Sequence, residues 1–165
     1  VYRVTLRSGV YYVKHYKLAG RRAWLQNNLR PCRAYREAAA NARVREAGIP
    51  TAEVVAVGRV ATGPFSRDSF FVTREIVGVG PLDESIGEGG TSAPWPPRAR
   101  HGLAVRLGAL TANLHRHGLF HADYHAGNVL VRRDGEDVRL WLIDLHPLRA
   151  ARMTTRRRYA MLGML

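Results

Sequence analysis

The sequence predicts an α+β protein whose first part is rich in strands and whose second part is mainly helical. Runs of β-branched and aromatic residues dominate positions 1–16 and 53–75, with a stretch of strong helix formers between them. Gly, Pro, Ser and acidic residues then fill 78–97, which is typical of a loop. We therefore predict a first lobe over 1–77, a flexible linker over 78–97 and a second lobe over 98–165.

Each element of the first part has a local signal. Two strand-like runs, 1–6 and 10–16, are separated by Arg7-Ser8-Gly9, which predicts a β-hairpin. The helix formers of 33–46 stop just before Gly48, a residue that commonly terminates helices because it adopts left-handed backbone angles at little cost. Two further strands are predicted over 53–60 and 69–75.

The second part is predicted to begin with a helix from about 98 to 117. Its apolar face consists of four leucines at helical spacing, Leu103, Leu107, Leu110 and Leu114. A second hairpin is predicted around Asp134-Gly135, with strands over 129–132 and 139–143. The basic tail beyond residue 150 is predicted to be helical.

Composition sets outer limits on function. The formal net charge is +13, and Lys14 and Lys17 are the only lysines among the 26 basic residues. Such a charge favours an anionic partner (phosphate, nucleic acid or an acidic membrane surface), although arginine-rich codon usage explains it equally well. Cys32 is the only cysteine, which excludes a disulfide framework and indicates a reducing compartment. Because the sequence opens at Val1 inside a strand-like run, we expect it to be incomplete at both ends.

The strongest chemical signal is the segment His121-Ala-Asp-Tyr-His-Ala-Gly-Asn128, which follows the predicted helix and precedes a strand. Asp144 comes sixteen residues after Asn128, at the end of an apolar strand. Phosphoryl transfer needs Mg²⁺ and a carboxylate that orients the incoming hydroxyl. We predict that Asp123 supplies this carboxylate and that Asn128 and Asp144 supply oxygen ligands for Mg²⁺. His121 is predicted to orient the loop by a hydrogen bond to the backbone near Asp144.

A lysine and a glutamate earlier in the chain form a second candidate pair. Lys14 lies in the second strand, where a lysine can reach ATP phosphates, and Glu37 lies in the helix that follows and can hold it in place. Glu46 is the alternative partner, although it falls near the predicted helix end.

Two other interpretations of the histidine-rich segment stay open. The loop's Asp and Asn side chains can serve only to cap turns. A hydrolytic zinc site is also conceivable, because four histidines lie close together in sequence: His115, His117, His121 and His125.

These segments resemble the bacterial lipopolysaccharide kinase (Kdo/WaaP) family, whose members are similar to small protein kinases. The resemblance covers roughly 10–149 and rests on four segments: YYVKHY around Lys14, YREAAANARVREAGIPT around Glu37, HGLFHADYHAGNVLV around Asp123 and LWLIDLHPLR around Asp144. It implies a two-lobed, protein-kinase-like fold with ATP and Mg²⁺ as cofactors. By this resemblance, Lys14 would contact the ATP phosphates and Asp123 would be the catalytic aspartate.

The resemblance also implies an adenine site. Backbone groups of Arg74, Glu75 and Ile76 would form the hinge that meets the base, and Leu130 would lie beneath the ring. The sequence departs from protein kinases in two ways: no glycine-rich phosphate loop is visible, and Leu145-His146 replaces the Phe-Gly that follows the metal-binding aspartate. The second departure argues against a switching activation segment.

The activity that the resemblance implies is phosphorylation of a Kdo or heptose hydroxyl in the lipopolysaccharide inner core, at the cytoplasmic face of the inner membrane. The acceptor would be an anionic, lipid-anchored glycan, and peripheral contact with the membrane would follow. The alternatives are a serine/threonine protein kinase, an aminoglycoside-type small-molecule kinase and a non-catalytic pseudokinase. A nucleic-acid partner is not expected, because no nucleic-acid-binding motif accompanies the charge.

Overall fold

The computed structural model describes residues 1–17, 31–62, 65–86 and 95–165, with the side chains of 61, 62 and 65–67 left out. The chain divides into two compact units. The first consists of Val1–Ala42 and Ala52–Ile76, and the second consists of Arg43–Thr51 and Val77–Leu165.

The first unit contains a four-stranded antiparallel sheet in the order β1-β2-β4-β3. Its strands are β1 (Tyr2–Leu6), β2 (Gly9–Tyr16), β3 (Val54–Thr62) and β4 (Phe65–Arg74). The predicted hairpin is confirmed, since Leu6 pairs with Gly9 across a two-residue turn. Gly9 has φ 135°, a backbone conformation that other residues rarely adopt. Strand β4 begins four residues earlier than predicted, at Phe65.

Helix α1 (Arg33–Glu46) has the bounds that the sequence predicts. Near its beginning, Cys32 and Ala34 pack with Phe71 of β4 in a small apolar core. At its end, the amide of Ile49 donates to the Val44 carbonyl and that of Gly48 donates to Arg45, with Gly48 at φ 70°. This Schellman arrangement satisfies carbonyls that the last helical turn leaves without partners.

The second unit combines two small sheets with three helices in its described part. Strands β5 (Gly80–Pro81), β7 (Val129–Asp134) and β8 (Asp137–Leu142) form one sheet, and β6 (Leu119–His121) pairs with β9 (Leu148–Ala150). The helices are α2 (Leu82–Ile86), α3 (Pro97–Arg116) and α4 (Thr155–Leu162). The predicted second hairpin and the helical tail are therefore present. None of the helices within the described ranges has both the length and the apolar character needed to cross a membrane.

The predicted flexible linker over 78–97 contains regular structure in its first part. Gly80 and Pro81 pair with Val131 and Leu130 of β7, and α2 buries Leu82 directly afterwards. Tertiary pairing overrides the loop-like composition here. Residues 87–94 lie outside the described residues.

Helix α3 is the long helix predicted from the leucine pattern. Pro97 occupies its first turn, where a missing amide hydrogen costs nothing, and Gly118 follows its end at φ 64°. Its buried face comprises Ala99, Leu103, Leu110, Thr111 and Leu114. Leu107, predicted on the same face, is half-buried.

Residues 43–51 also belong to the second unit. The amide of Leu142 donates to the Pro50 carbonyl at 2.9 Å, and Thr51 forms a parallel bridge with Leu142. Asn113 of α3 donates to the Ala47 carbonyl at 2.8 Å. The segment after helix α1 is therefore attached both to the outer edge of β8 and to α3.

Candidate active site

The loop between β6 and β7 is organised around His121, which is fully buried. Its Nε2 lies 3.0 Å from the carbonyl oxygen of Asp144, and the amide of Asp123 donates to its Nδ1 at 3.2 Å. A carbonyl only accepts and an amide only donates, so the ring carries its hydrogen on Nε2 and is neutral. Burial lowers the pKa of His121, which favours the same state, while the Asp144 contact opposes it. The predicted hydrogen bond to the backbone at Asp144 is present.

Asn128 joins the two ends of this loop. Its Nδ2 donates to the carbonyl of Asp123 at 2.9 Å and lies 3.3 Å from the carboxylate Oδ2 of the same residue. The backbone carbonyl of Asn128 accepts from the amide of Ile143 at 3.0 Å, which places the neighbouring Asp144 beside the loop. With Nδ2 engaged, Oδ1 is the side-chain atom left to bind a ligand, and it has no hydrogen bond within the described part of the chain.

Asp144 has φ 52°, and among the described residues it is the only one other than glycine with a positive φ. Aspartate tolerates this left-handed conformation better than most residues, and such outliers cluster at functional sites. Its Oδ1 lies 3.2 Å from Nδ1 of His146, and its side chain is one-third exposed. The backbone at this position is thus adapted to present a carboxylate.

His125 caps the short 3₁₀ turn Ala126–Asn128 within the loop. Its Nδ1 accepts from the amide of Gly127 at 3.1 Å, and its Nε2 lies 3.0 Å from Nδ2 of Asn128 and 3.7 Å from Oδ2 of Asp123. Sequence reasoning considered this histidine only as a zinc ligand and missed its capping role, which the His-x-Gly spacing could have suggested. No group of three or more His, Cys, Asp or Glu side chains arranged to hold a metal occurs among the described residues.

In the first unit, Nζ of Lys14 lies 2.7 Å from Oε1 of Glu37. Glu37 is 2% exposed, whereas the alternative partner Glu46 is exposed. Sequence reasoning missed Tyr16, whose hydroxyl donates to the other oxygen of Glu37. The signal was available, because Lys14 and Tyr16 lie two residues apart on one strand and therefore share a face.

The predicted hinge residues are only partly available to a ligand. The amide of Arg74 donates to the Glu53 carbonyl and that of Glu75 donates to the Val10 carbonyl, each at 2.9 Å. Because both amides donate to backbone carbonyls, neither is available to donate to a base. Ile76 ends the first unit, and its amide donates no backbone hydrogen bond among the described residues. Leu130 is half-buried in β7.

The structure therefore brings the predicted residues together in two groups. Asp123, Asn128, Asp144 and His121 form one hydrogen-bonded network in the second unit, and Lys14 and Glu37 form an ion pair in the first. In the network, the exposed carboxylate of Asp123 can accept a proton, and the Asn128 amide and Asp144 carboxylate offer the oxygen ligands that Mg²⁺ prefers.

Sequence comparison identifies the relatives of this chain. The model of the lipopolysaccharide kinase (Kdo/WaaP) family matches residues 2–162. The lipopolysaccharide core heptose(I) kinase WaaP of Pseudomonas aeruginosa is 31% identical over 119 residues, which cover 70% of this chain and 44% of that protein. The WaaP of Escherichia coli is 27% identical over 108 residues, covering 63% and 40%. The chain thus spans less than half the length of these relatives.

Structural comparison agrees. A structure of WaaP in complex with acyl carrier protein matches 99% of this chain and 64% of that chain, with a TM-score of 0.72 and 26% identity. The Rio2 kinase of Chaetomium thermophilum, in its ADP/Mg²⁺-phosphoaspartate complex, matches 80% of this chain and 36% of that one, with a TM-score of 0.58 and 21% identity. The predicted α+β, protein-kinase-like fold is confirmed, and the chain belongs to the lipopolysaccharide kinase (Kdo/WaaP) family.

Proposed function

We propose that the protein is an ATP-dependent kinase that phosphorylates a sugar hydroxyl, of Kdo or heptose, in the lipopolysaccharide inner core. The observation that carries this proposal is the network joining Asp123, Asn128 and Asp144, found in a chain of this family. It supplies both a proton acceptor and oxygen ligands for a metal, the two requirements of phosphoryl transfer to an alcohol.

The residues proposed to contact ATP follow from the family resemblance. Lys14 would contact the phosphates and Glu37 would hold it, since the buried Glu37 carboxylate pairs with the lysine at 2.7 Å. Ile76 would offer a backbone amide to the adenine base, and Leu130 would supply apolar contact with the ring.

Mg²⁺ fits the residues present. Asn128 directs its amide nitrogen to the Asp123 carbonyl, and the remaining oxygen together with the Asp144 carboxylate forms a hard-oxygen donor set. These two side chains would hold the ion, whose positive charge would offset the negative charge of the ATP phosphates.

Asp123 would accept the proton of the attacking hydroxyl. Its side chain is 55% exposed, so an acceptor can reach it, while its amide and carbonyl are fixed by His121 and Asn128. His121 is assigned a positioning role, because both of its ring nitrogens are occupied by the protein backbone.

The acceptor is proposed from the relatives, which are named lipopolysaccharide core heptose(I) kinases. The charge supports an anionic acceptor: residues 146–165 contain no acidic residue and five exposed arginines, Arg149, Arg152, Arg156, Arg157 and Arg158. Each cation near an anionic surface adds about 1 kcal/mol of attraction. We therefore place the protein at the cytoplasmic face of a bacterial inner membrane and include an acyl carrier protein among the proposed partners, as for the solved WaaP complex.

The test is phosphate transfer from ATP, with and without Mg²⁺, to three acceptors: deacylated lipopolysaccharide core, an aminoglycoside and a generic protein substrate. We expect Mg²⁺-dependent phosphorylation of the core glycan, lost in Asp123→Ala. Asp134→Ala is the matched control, because Asp134 is an exposed carboxylate at the hairpin turn and should leave the rate unchanged. Transfer to another acceptor would reassign the substrate, and nucleotide binding with equal turnover in wild type and Asp123→Ala would indicate a pseudokinase.

A further inference from the structure

Tyr124, the residue between Asp123 and His125, points into the protein although its neighbours are exposed. Its relative exposure is 0%, and its hydroxyl lies 2.9 Å from Oγ1 of Thr111 in helix α3. The same Oγ1 lies 2.9 Å from the carbonyl oxygen of Leu107, one turn earlier in the helix. Thr111 is itself 4% exposed, so the contact between the two hydroxyls is shielded from water.

The direction of both hydrogen bonds follows from the chemistry of the groups. The Leu107 carbonyl can only accept, so the Thr111 hydroxyl spends its single hydrogen on it. The Tyr124 hydroxyl must then be the donor to Thr111. Burial raises the pKa of Tyr124, in keeping with a phenol that retains its hydrogen.

We propose that Tyr124 is a positioning residue that fixes the backbone of Asp123 against helix α3 through this hydrogen-bond chain. This inference rests on the proposed function, in which Asp123 accepts the proton. His121 at the end of β6 and Asn128 in the 3₁₀ turn of the loop each hydrogen-bond the backbone of Asp123, but neither of these bonds ties the loop to α3. Tyr124 provides that connection one residue from the reacting carboxylate.

A phenylalanine at position 124 would fill nearly the same space. The tyrosine hydroxyl therefore contributes a directional hydrogen bond and not additional packing. Its hydrogen bond specifies one rotation of the loop relative to the helix, whereas apolar contact tolerates several. A small displacement of the Asp123 carboxylate from the attacking hydroxyl slows phosphoryl transfer, because the rate depends steeply on how the reacting groups are aligned. The prediction is therefore an effect on turnover with nucleotide binding preserved.

The experiment uses Tyr124→Phe, Thr111→Val, the double variant and Thr111→Ser in the kinase assay. We expect each of the first two to lower kcat about five- to tenfold, the population ratio equivalent to one buried hydrogen bond, with KM for MgATP changed less than about twofold. The double variant should be no slower than the slower single, because both remove the same chain. Thr111→Ser keeps the hydroxyl and should restore most of the rate.

Asn113→Ala is the matched control, since it removes a side-chain hydrogen bond from the same helix without touching the loop. It should lower the melting temperature and leave kcat unchanged. An equal loss of kcat in Asn113→Ala, additive losses in the double variant or no rescue by serine would overturn the inference.

Amide hydrogen exchange decides the inference independently of activity. In Tyr124→Phe, residues 122–128 should exchange about five- to tenfold faster while α3 and the β7–β8 hairpin keep wild-type protection. Unchanged exchange in that loop would refute the positioning role. If wild type and Asp123→Ala both lack transfer activity, the proposed function fails. The exchange measurement still tests separately whether the Tyr124 hydroxyl holds the loop in place.

Discussion

The side-chain nitrogen of Asn128 donates a hydrogen bond to the carbonyl oxygen of Asp123, with 2.9 Å between the two atoms. This bond spans the loop. It directs Nδ2 of Asn128 towards Asp123 and leaves Oδ1 of the same amide available to a ligand. The residue proposed to accept a proton and a residue proposed to bind Mg²⁺ are therefore not independent, because each sets the orientation of the other.

Asp144→Asn should abolish Mg²⁺-dependent transfer while preserving the fold. Asparagine also tolerates the left-handed backbone at φ 52°, so the change removes a charge without adding strain. We expect kcat to fall by roughly 100-fold or more, with unfolding free energy within about 0.5 kcal/mol of wild type. Asp137→Asn, an exposed carboxylate on β8, should retain activity. Retained activity in Asp144→Asn, or its unfolding, would show that the metal assignment is mistaken.

Tyr16→Phe should weaken nucleotide binding. The change leaves one oxygen of a carboxylate that is 2% exposed without its hydroxyl donor, so Glu37 holds Lys14 less firmly. We expect KM for MgATP to rise roughly three- to tenfold and stability to fall by about 1–3 kcal/mol. Tyr35→Phe, at an exposed tyrosine on the helix of Glu37, serves as the control. Equal KM values in the two variants would exclude a role for Tyr16.

Leu110→Ala should destabilise the second unit. Leu110 is 7% exposed on the inner face of α3, and its truncation leaves a cavity worth about 2–5 kcal/mol. Val105→Ala removes apolar atoms from the same helix at a position 56% exposed, so it should change stability by less than about 0.5 kcal/mol. Urea unfolding of the two variants tests the difference, and similar values would mean that the core face of α3 has been misassigned.

His115 should make stability depend on pH. Burial, and then the positive charge of Arg158, lower the pKa of His115, and its Nε2 is buried with no hydrogen-bond partner within the described residues. Below the ordinary histidine pKa of about 6.5, the unfolded chain binds a proton that the folded chain resists. His115 therefore lowers the free energy of unfolding only below about pH 6.5, and the loss grows as the pH falls further towards its lowered folded-state pKa.

The measurement compares wild type with His115→Gln, in which the titrating group is absent. The free-energy difference between them should be constant above about pH 7 and shift against wild type as the pH falls below about 6.5. Arg158→Gln should reduce this shift, because one of its two causes is removed. A difference that does not vary between pH 5 and 8 would rule out the effect.

Elements with strong local signals were predictable from the sequence. The bounds of α1 follow from its helix formers and from Gly48, and the β7–β8 hairpin follows from its turn residues and the apolar strand before Asp144. The Lys14–Glu37 pair and the His121 contact were also predictable, since a residue pattern of known chemistry marks them.

What escaped prediction depends on contacts distant in sequence. Strand β5 is two residues long and exists because it pairs with β7, which its Gly-Pro composition does not indicate. The same holds for side chains: Tyr124 resembles any aromatic in a loop until Thr111 is placed opposite it. The positive φ of Asp144 leaves no trace in composition at all.

The attachment of Pro50 and Thr51 to Leu142 has a consequence for how the chain can be made and divided. The second unit is assembled from two separate stretches, so no single peptide-bond cut releases it whole. During synthesis, Pro50 and Thr51 emerge long before Leu142, the β8 residue with which they pair. The pairing of Pro50 and Thr51 with Leu142 is consequently a late, non-local step, of the kind that slows folding.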